Sequence, residues 1–213
     1  MKLSMKTSIF WIMALLISGS IISGCSPKAK YDRMLKHELA SGVRYDSLFM
    51  GIYLGMPEKE FYKHCWELNR KGLIRQGTNN TSVLYELRKE LKYPATMDFY
   101  PNFTDGKISE LPVRFAYNGW APWNKELSSE KLQIDVLNWY KKVYGGGFIE
   151  VKHPQKGTAL LKVNGNRRIS IFKEDDLHIW AVFTDMLVKK DSIIASPDAK
   201  NNIDSLVNDP GKK

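Results

Sequence analysis

The sequence has few of the residues that build disulfide frameworks, metal sites and nucleophilic centres. Its 213 residues include two cysteines and four histidines. No segment matches Gly-x-Ser-x-Gly, His-Glu-x-x-His, a phosphate-binding P-loop or a Cys-x-x-Cys pair. The histidines are His37, His64, His153 and His178, and zinc sites usually take two ligands from one short segment. We therefore expect no catalytic residue, no metal and no cofactor.

Long runs of one charge are also absent. Lysine and arginine total 32 against 23 acidic residues, which gives a formal net charge of +9. The basic residues occur as scattered pairs such as Arg70-Lys71 and Arg167-Arg168, whereas nucleic-acid-binding proteins concentrate them on one element or face. We expect no nucleic-acid partner. Attraction to anionic lipid or acidic glycan stays open beside an ordinary solvated basic surface.

The N-terminus carries the one long apolar run. Lys2 and Lys6 precede an uncharged segment, 9–22, that is typical of a secretory signal peptide. The apolar core of this segment is shorter than a membrane-spanning helix requires. The run ends in Ile22-Ser-Gly-Cys25, which resembles the lipobox of bacterial lipoproteins. The alternative is an ordinary signal peptide or an uncleaved anchor in which Cys25 has no special role.

The lipobox resemblance implies cleavage before Cys25, diacylglycerol on its sulfur and acylation of its new amine. Several acyl chains give stable membrane anchoring. The next residue is Ser26, not the aspartate associated with inner-membrane retention, and no acidic run follows. We therefore expect an exported protein anchored to the outer membrane and facing the periplasm.

A lipidated Cys25 leaves Cys65 without a partner for an intramolecular disulfide. Phe61, Cys65 and Leu68 fall on one face of a predicted helix, so we expect the Cys65 thiol in the core. His64 is adjacent in sequence, but neighbouring helical positions point about 100° apart. This spacing disfavours a Cys–His nucleophile.

Apolar periodicity and glycine stops divide the rest of the chain into two similar halves. Each half has a helix that ends at glycine, followed by four predicted strands. The predicted strands are 73–76, 82–87, 95–100 and 108–117 in the first half, and 148–152, 158–163, 168–172 and 177–184 in the second. The predicted fold class is α+β: two repeats of one helix packed on a four-stranded antiparallel sheet, behind a short N-terminal helix and a lipid tether. We expect the halves to pack together, because each alone would expose one sheet face.

The sequence predicts six segments. They are the signal peptide 1–24, the lipidated tether and short helix 25–47, the first repeat 48–118, the tryptophan-rich connector 119–127, the second repeat 128–188 and a flexible tail 189–213. Within 25–47, residues 26–30 are predicted as the tether and residues 31–41 as the short helix. The tail is rich in Pro, Asn, Asp, Lys and Ser.

The segment Gly51-Ile-Tyr-Leu-Gly-Met-Pro-Glu-Lys-Glu-Phe61 leads into the first-half helix. It is similar to a Gly-x-x-x-Gly-Met/Thr-x-x-Glu segment of the β-lactamase inhibitory proteins and of the small outer-membrane lipoproteins of the SmpA/OmlA kind. With the order of elements over about 48–187, the resemblance implies a tandem-repeat fold that binds proteins and has no catalytic centre. The disulfides of the secreted inhibitors are absent and the chain is longer than the small lipoproteins, so the resemblance implies no particular partner.

An unusual cluster, Tyr117-Asn-Gly-Trp-Ala-Pro-Trp-Asn124, lies between the halves, and its two tryptophans fall in the connector. If exposed, Trp120 and Trp123, together with Tyr117, would anchor a protein partner or stack on sugar rings. Alternatively both indoles fold back and fill the junction between the halves, which we favour from the sequence alone.

These patterns favour a lipid-anchored, non-catalytic envelope lipoprotein that binds a protein partner as a scaffold, assembly factor or inhibitor. A glycan-binding envelope lipoprotein is the alternative, and a hydrolase with a dispersed active site is a third hypothesis.

Overall fold

Three helices and nine strands form within the residues that the structure, a computed structural model, describes: 26–77, 82–153 and 157–189. The chain is therefore α+β, with one large antiparallel sheet. The predicted signal peptide, the predicted lipidation site Cys25 and residues 190–213 of the predicted tail lie outside the described residues.

The helices are α1 (Pro27–Ala40), α2 (Glu58–Arg70) and α3 (Ser129–Tyr144). The strands are β1 (Arg75–Gln76), β2 (Val83–Leu87), β3 (Ala95–Phe99), β4 (Asn102–Thr104), β5 (Lys107–Tyr117), β6 (Ile149–His153), β7 (Gly157–Asn164), β8 (Arg167–Lys173) and β9 (His178–Asp185).

Helix α1 begins earlier than the sequence analysis expected. The Ser26 side-chain oxygen accepts a hydrogen bond from the Ala29 amide at 3.1 Å, and Pro27 occupies the first helical turn. Serine at the cap followed by proline is a favourable helix start. Residues 26–30, expected as a tether, are thus cap and helix, and Cys25 immediately precedes the cap.

The expected pair of four-stranded sheets is replaced by one nine-stranded sheet with the order β1-β2-β3-β5-β9-β8-β7-β6 and with β4 on β5. Strands β5 and β9 join the two halves edge to edge, from Glu110↔Thr184 to Ala116↔His178. This pairing satisfies the backbone groups that each last strand would otherwise expose at an edge. The added strand, β4, pairs with β5 across a turn in which Asp105 has a φ of 52°.

The sheet carries helices on both faces. Helices α2 and α3 enclose the main core on one face with the alternate inward residues of the central strands, which include Met97, Phe99, Val113, Phe115, Ile171, Ala181 and Phe183. Helix α1 packs on the opposite face, where Tyr31 is buried with Ile149 of β6 and Val163 of β7. Helix α1 contacts mainly β6 and β7, and it therefore covers that end of the second face.

The central part of the second face has no helix over it among the described residues. A row of half-buried side chains crosses it from β2 to β8, each directly opposite the next: Leu84, Asp98, Arg114, Trp180 and Phe172. We call these five residues the open-face row.

Candidate functional site

The connector between the halves presents one tryptophan to solvent. The Trp123 side chain is 85% exposed. It lies in a turn closed by the Asn124 amide, which donates to the Ala121 carbonyl at 2.9 Å, and Pro122 restricts the backbone of the turn. Trp123 therefore projects from an ordered turn.

Contacts on both sides hold this turn in place. The Asn124 side-chain oxygen accepts from the Glu126 amide at 3.2 Å and starts a short 3-10 helix, Lys125–Leu127. The Lys92 ammonium lies 3.3 Å from a Glu126 carboxylate oxygen. At the other end, the Asn118 amide donates to the Pro94 carbonyl at 2.9 Å. The connector is thus tied to the loop between β2 and β3.

Tyr117, expected as a contact residue, is only 3% exposed. Its hydroxyl donates to the Asp135 carboxylate of α3 at 2.6 Å, and its ring meets the Tyr93 ring at 5.8 Å, edge to face. Burial and the Asp135 carboxylate raise the pKa of Tyr117 well above its ordinary value. Its alternation with Val113 and Phe115 along β5 places Tyr117 on the inward face, a local signal of burial. Tyr117 therefore supports the connector from the core side.

Trp120 is half-buried, so the three expected contact residues have three different environments. The expectation that both indoles fill the junction between the halves is wrong for Trp123. The junction is formed by the β5–β9 pairing, and core residues such as Phe115 and Ala181 already fill its inner face.

Further aromatic side chains are exposed on α2, and the sequence analysis did not single them out. Trp66 is 62% exposed, with the Arg70 guanidinium 5.1 Å from its ring centroid. The hydroxyls of Tyr62 and Tyr100 lie 2.6 Å apart. The signal was available, because Tyr62 and Trp66 are four residues apart and each follows a residue of the Phe61–Cys65 inward face.

Within the open-face row, the Arg114 side chain partly covers the Trp180 ring. The Arg114 guanidinium lies 5.9 Å from the centroid of the Trp180 ring and donates to Glu174 at 2.7 Å. Phe172 is half-buried beside Trp180. The row is therefore less accessible than Trp123.

One acidic cluster has the composition of a metal site. Ligand atoms of Glu174, Asp175 and His178 lie within 4.8 Å of one another. However, the Arg114 guanidinium already contacts Glu174 and lies 3.0 Å from His178 Nδ1. Although burial acts to raise it, hydrogen bonds from His178 and the Leu177 amide lower the pKa of Asp175. The Glu174 carboxylate is therefore neutralised by Arg114, and the Asp175 carboxylate stabilises the turn before β9.

The Cys65–His64 pair does not have the geometry of a nucleophile and its base. His64 Nε2 donates to the Met50 carbonyl at 2.6 Å. Burial raises the pKa of the Cys65 thiol to about 11, so the thiol is protonated at neutral pH. Cys65 packs half-buried against the main core, close to the position expected from the helical face.

Two cations of the basic surplus are buried. Arg167 is 6% exposed, donates to the Ser47 carbonyl and lies 4.8 Å from the Tyr144 ring centroid. Lys162 is 9% exposed and donates to the Gly146 carbonyl after the C-terminal end of α3. Burial lowers the pKa of both groups. Neither is placed to meet a membrane or a polyanion.

A cavity of about 340 Å³ lies at the opposite end of the sheet from the connector, beside the β4–β5 turn. Its lining includes Arg44 and Asp185, which form an ion pair at 3.1 Å. Arg44 also pairs with Asp46 at 2.8 Å. Arg44 and Asp185 therefore neutralise each other in the wall of this cavity.

No protein-family model, curated protein or solved structure matches the chain. None of the helices in the described ranges has both the length and the apolar character needed to cross a membrane.

Proposed function

We propose that the protein is a lipid-anchored, non-catalytic lipoprotein of the cell envelope, held at the outer membrane and facing the periplasm, that binds a protein partner through the connector. Trp123 is its central contact. The observation that carries the proposal is the 85% exposure of this side chain on an ordered turn.

A fixed and exposed indole is an efficient anchor for a protein partner. Tryptophan buries up to about 250 Å² and is enriched among the residues that dominate binding energy. At about 25 cal/mol per Å², covering it contributes at most about 6 kcal/mol before the costs of association. The turn and its Lys92–Glu126 contact reduce the ordering cost on this side of the interface.

The position of Cys25 supports the lipid anchor. The cap of α1 follows it immediately, and α1 packs on β6 and β7. Lipid on Cys25 would hold the folded body close to the membrane surface. Lys30 and Arg33 are exposed on the first turns of α1 and would face anionic headgroups.

The strand order supports two related repeats, as in the families that the Gly51–Phe61 segment resembles. In both halves a helix precedes a set of antiparallel strands, and the last strand of each set lies at the centre of the sheet. The edge-to-edge junction replaces the face-to-face packing that we expected.

The protonated Cys65 thiol and the His64–Met50 hydrogen bond support a non-catalytic role. The internal neutralisation of the Glu174–His178 cluster by Arg114 supports it further.

The test compares Trp123→Ala with Trp66→Ala in full-length, membrane-anchored protein. Both indoles are exposed, so neither change should alter the free energy of unfolding by more than about 0.5 kcal/mol. We expect Trp123→Ala to weaken binding of the co-purified envelope protein by about 30-fold, the effect of losing a central contact, and Trp66→Ala to leave it unchanged. Equal binding by both variants would contradict the proposal.

A further inference from the structure

Strand β6 ends the sheet with an edge that no described strand pairs. It has five residues, Ile149–His153, and pairs with β7 on its inner side. The strand at the other end of the sheet, β1, has two residues. Of the two outer strands, β6 alone is long enough for several backbone hydrogen bonds to an added strand.

Two residues of opposite charge flank the middle residue of β6. Val151 is the centre, with Glu150 on one side and Lys152 on the other. Both side chains are exposed, and both lie on the sheet face opposite α1, since Val151 faces α1. An antiparallel copy of the strand, centred on Val151, would place each Glu150 directly opposite a Lys152 of the second copy.

We propose that two copies of the chain pair through β6, antiparallel, about a two-fold axis at Val151. The same strand serves both sides of such an interface, so every contact occurs twice. The pairing makes two Glu150–Lys152 cross-strand pairs and one Val151–Val151 pair. Edge strands are usually blocked by charges that repel a second copy, whereas the charges of β6 attract one in this register.

The position of α1 is compatible with this pairing. Helix α1 packs over both β6 and β7, and neighbouring strands lie about 4.8 Å apart. A helix centred between β6 and β7 would thus lie about 10 Å from its symmetry mate across the joined edge, which is a normal helix–helix distance. Met34 and Leu35, which are half-buried in the same apolar cluster as Val151, would then be buried further by the second helix.

The two-fold axis is perpendicular to the joined sheet and keeps both α1 helices on the same face. Two lipid anchors preceding these helices would therefore enter one bilayer. The pairing itself rests on the edge and its charges and does not depend on the anchor.

Charge reversal provides the first test. Full-length protein in detergent is measured by sedimentation equilibrium as wild type, Glu150→Lys, Lys152→Glu and the double variant. We expect each single reversal to weaken dimerisation by about tenfold or more, because it opposes like charges twice. The double reversal restores the opposite pairs and should restore dimerisation. A wild-type protein that stays monomeric, or a double variant as weak as the singles, would overturn the proposal; circular dichroism confirms that each variant is folded.

Cysteine crosslinking in membranes provides the second test. Val151→Cys places two thiols face to face at the axis, and Arg75→Cys places one on the opposite edge of the sheet as a matched control. Mild oxidation should give a disulfide-linked dimer with Val151→Cys and little with Arg75→Cys. Equal crosslinking of the two variants, or none with Val151→Cys, would reject β6 as the interface.

Discussion

At the residue scale, the connector shows how burial assigns different roles to neighbouring aromatic residues. Tyr117 lies under the turn and bonds to Asp135, whereas Trp123, six positions later, is almost fully exposed. Both residues are contact candidates from the sequence, but the alternation of Val113, Phe115 and Tyr117 along β5 points Tyr117 inward. The exposure of Trp123 depends on which groups pack on the connector from elsewhere, and no local pattern in the connector contains that information.

The Tyr117–Asp135 hydrogen bond should contribute measurably to stability. Tyr117→Phe removes the hydroxyl and leaves a half-buried carboxylate with one fewer donor. We expect the free energy of unfolding to fall by about 1.5 kcal/mol, the usual value for a hydrogen bond to a charged group. Urea unfolding measures it.

Tyr62→Phe is the matched control, because its hydroxyl bonds to Glu58 on an exposed face. It should cost less than about 0.5 kcal/mol. Equal losses in the two variants would show that the buried phenol has no special role under the connector.

At the element scale, the positions of the strands followed closely from the sequence. The glycine stops and the alternation in residues 113–117 indicate these bounds, since both are local properties. The short strand β4 was missed because three residues carry no periodic signal. The pairing of β5 with β9 was also missed, since it joins strands about 70 residues apart and no local pattern specifies it.

The turn between β7 and β8 anchors α1 and the segment after it. The Gly165 amide donates to Glu38 of α1 at 2.8 Å, and the Tyr45 amide donates to the Asn166 side chain at 2.7 Å. Gly165 has a φ of 51°, and a Cβ there would lie 2.1 Å from the Val43 carbonyl oxygen. Glycine is required at this position for both conformation and space.

Gly165→Ala should therefore be much more damaging than Gly106→Ala. Gly106 has a φ of 70°, but a Cβ there would meet no atom within 4 Å. We expect Gly106→Ala to cost about 1 kcal/mol, the penalty for a left-handed alanine, and Gly165→Ala to cost at least about 2 kcal/mol more through the clash. Urea unfolding of both variants measures the two losses of free energy of unfolding. Similar losses would contradict the predicted clash and show that the backbone at Val43 shifts without cost.

At the scale of the whole molecule, one continuous sheet makes the two halves a single body. The connector at one end of β5 and the α1 layer at the β6–β7 end are held in fixed relation by the strands between them. On the proposed function, one region of this body meets the membrane and another meets the partner.

The anchor is tested by Cys25→Ser, which removes the sulfur that the lipobox resemblance assigns to lipid. We expect the variant to leave the membrane fraction or to accumulate as unprocessed precursor, because one noncovalent surface does not replace acyl chains. Its fold should be unchanged, since the packing of α1 begins after Ser26. Full membrane retention of a correctly cleaved variant would contradict the anchor.

The most direct test of the central claim is photo-crosslinking in intact cells, with a photoreactive residue at position 123 and, as a control, at position 66. Both sites are exposed, but only position 123 lies on the connector. We expect one abundant envelope protein as the adduct at position 123 and not at position 66. Glycan adducts alone, the same adducts at both positions, or none at position 123 would contradict a protein-binding role for Trp123.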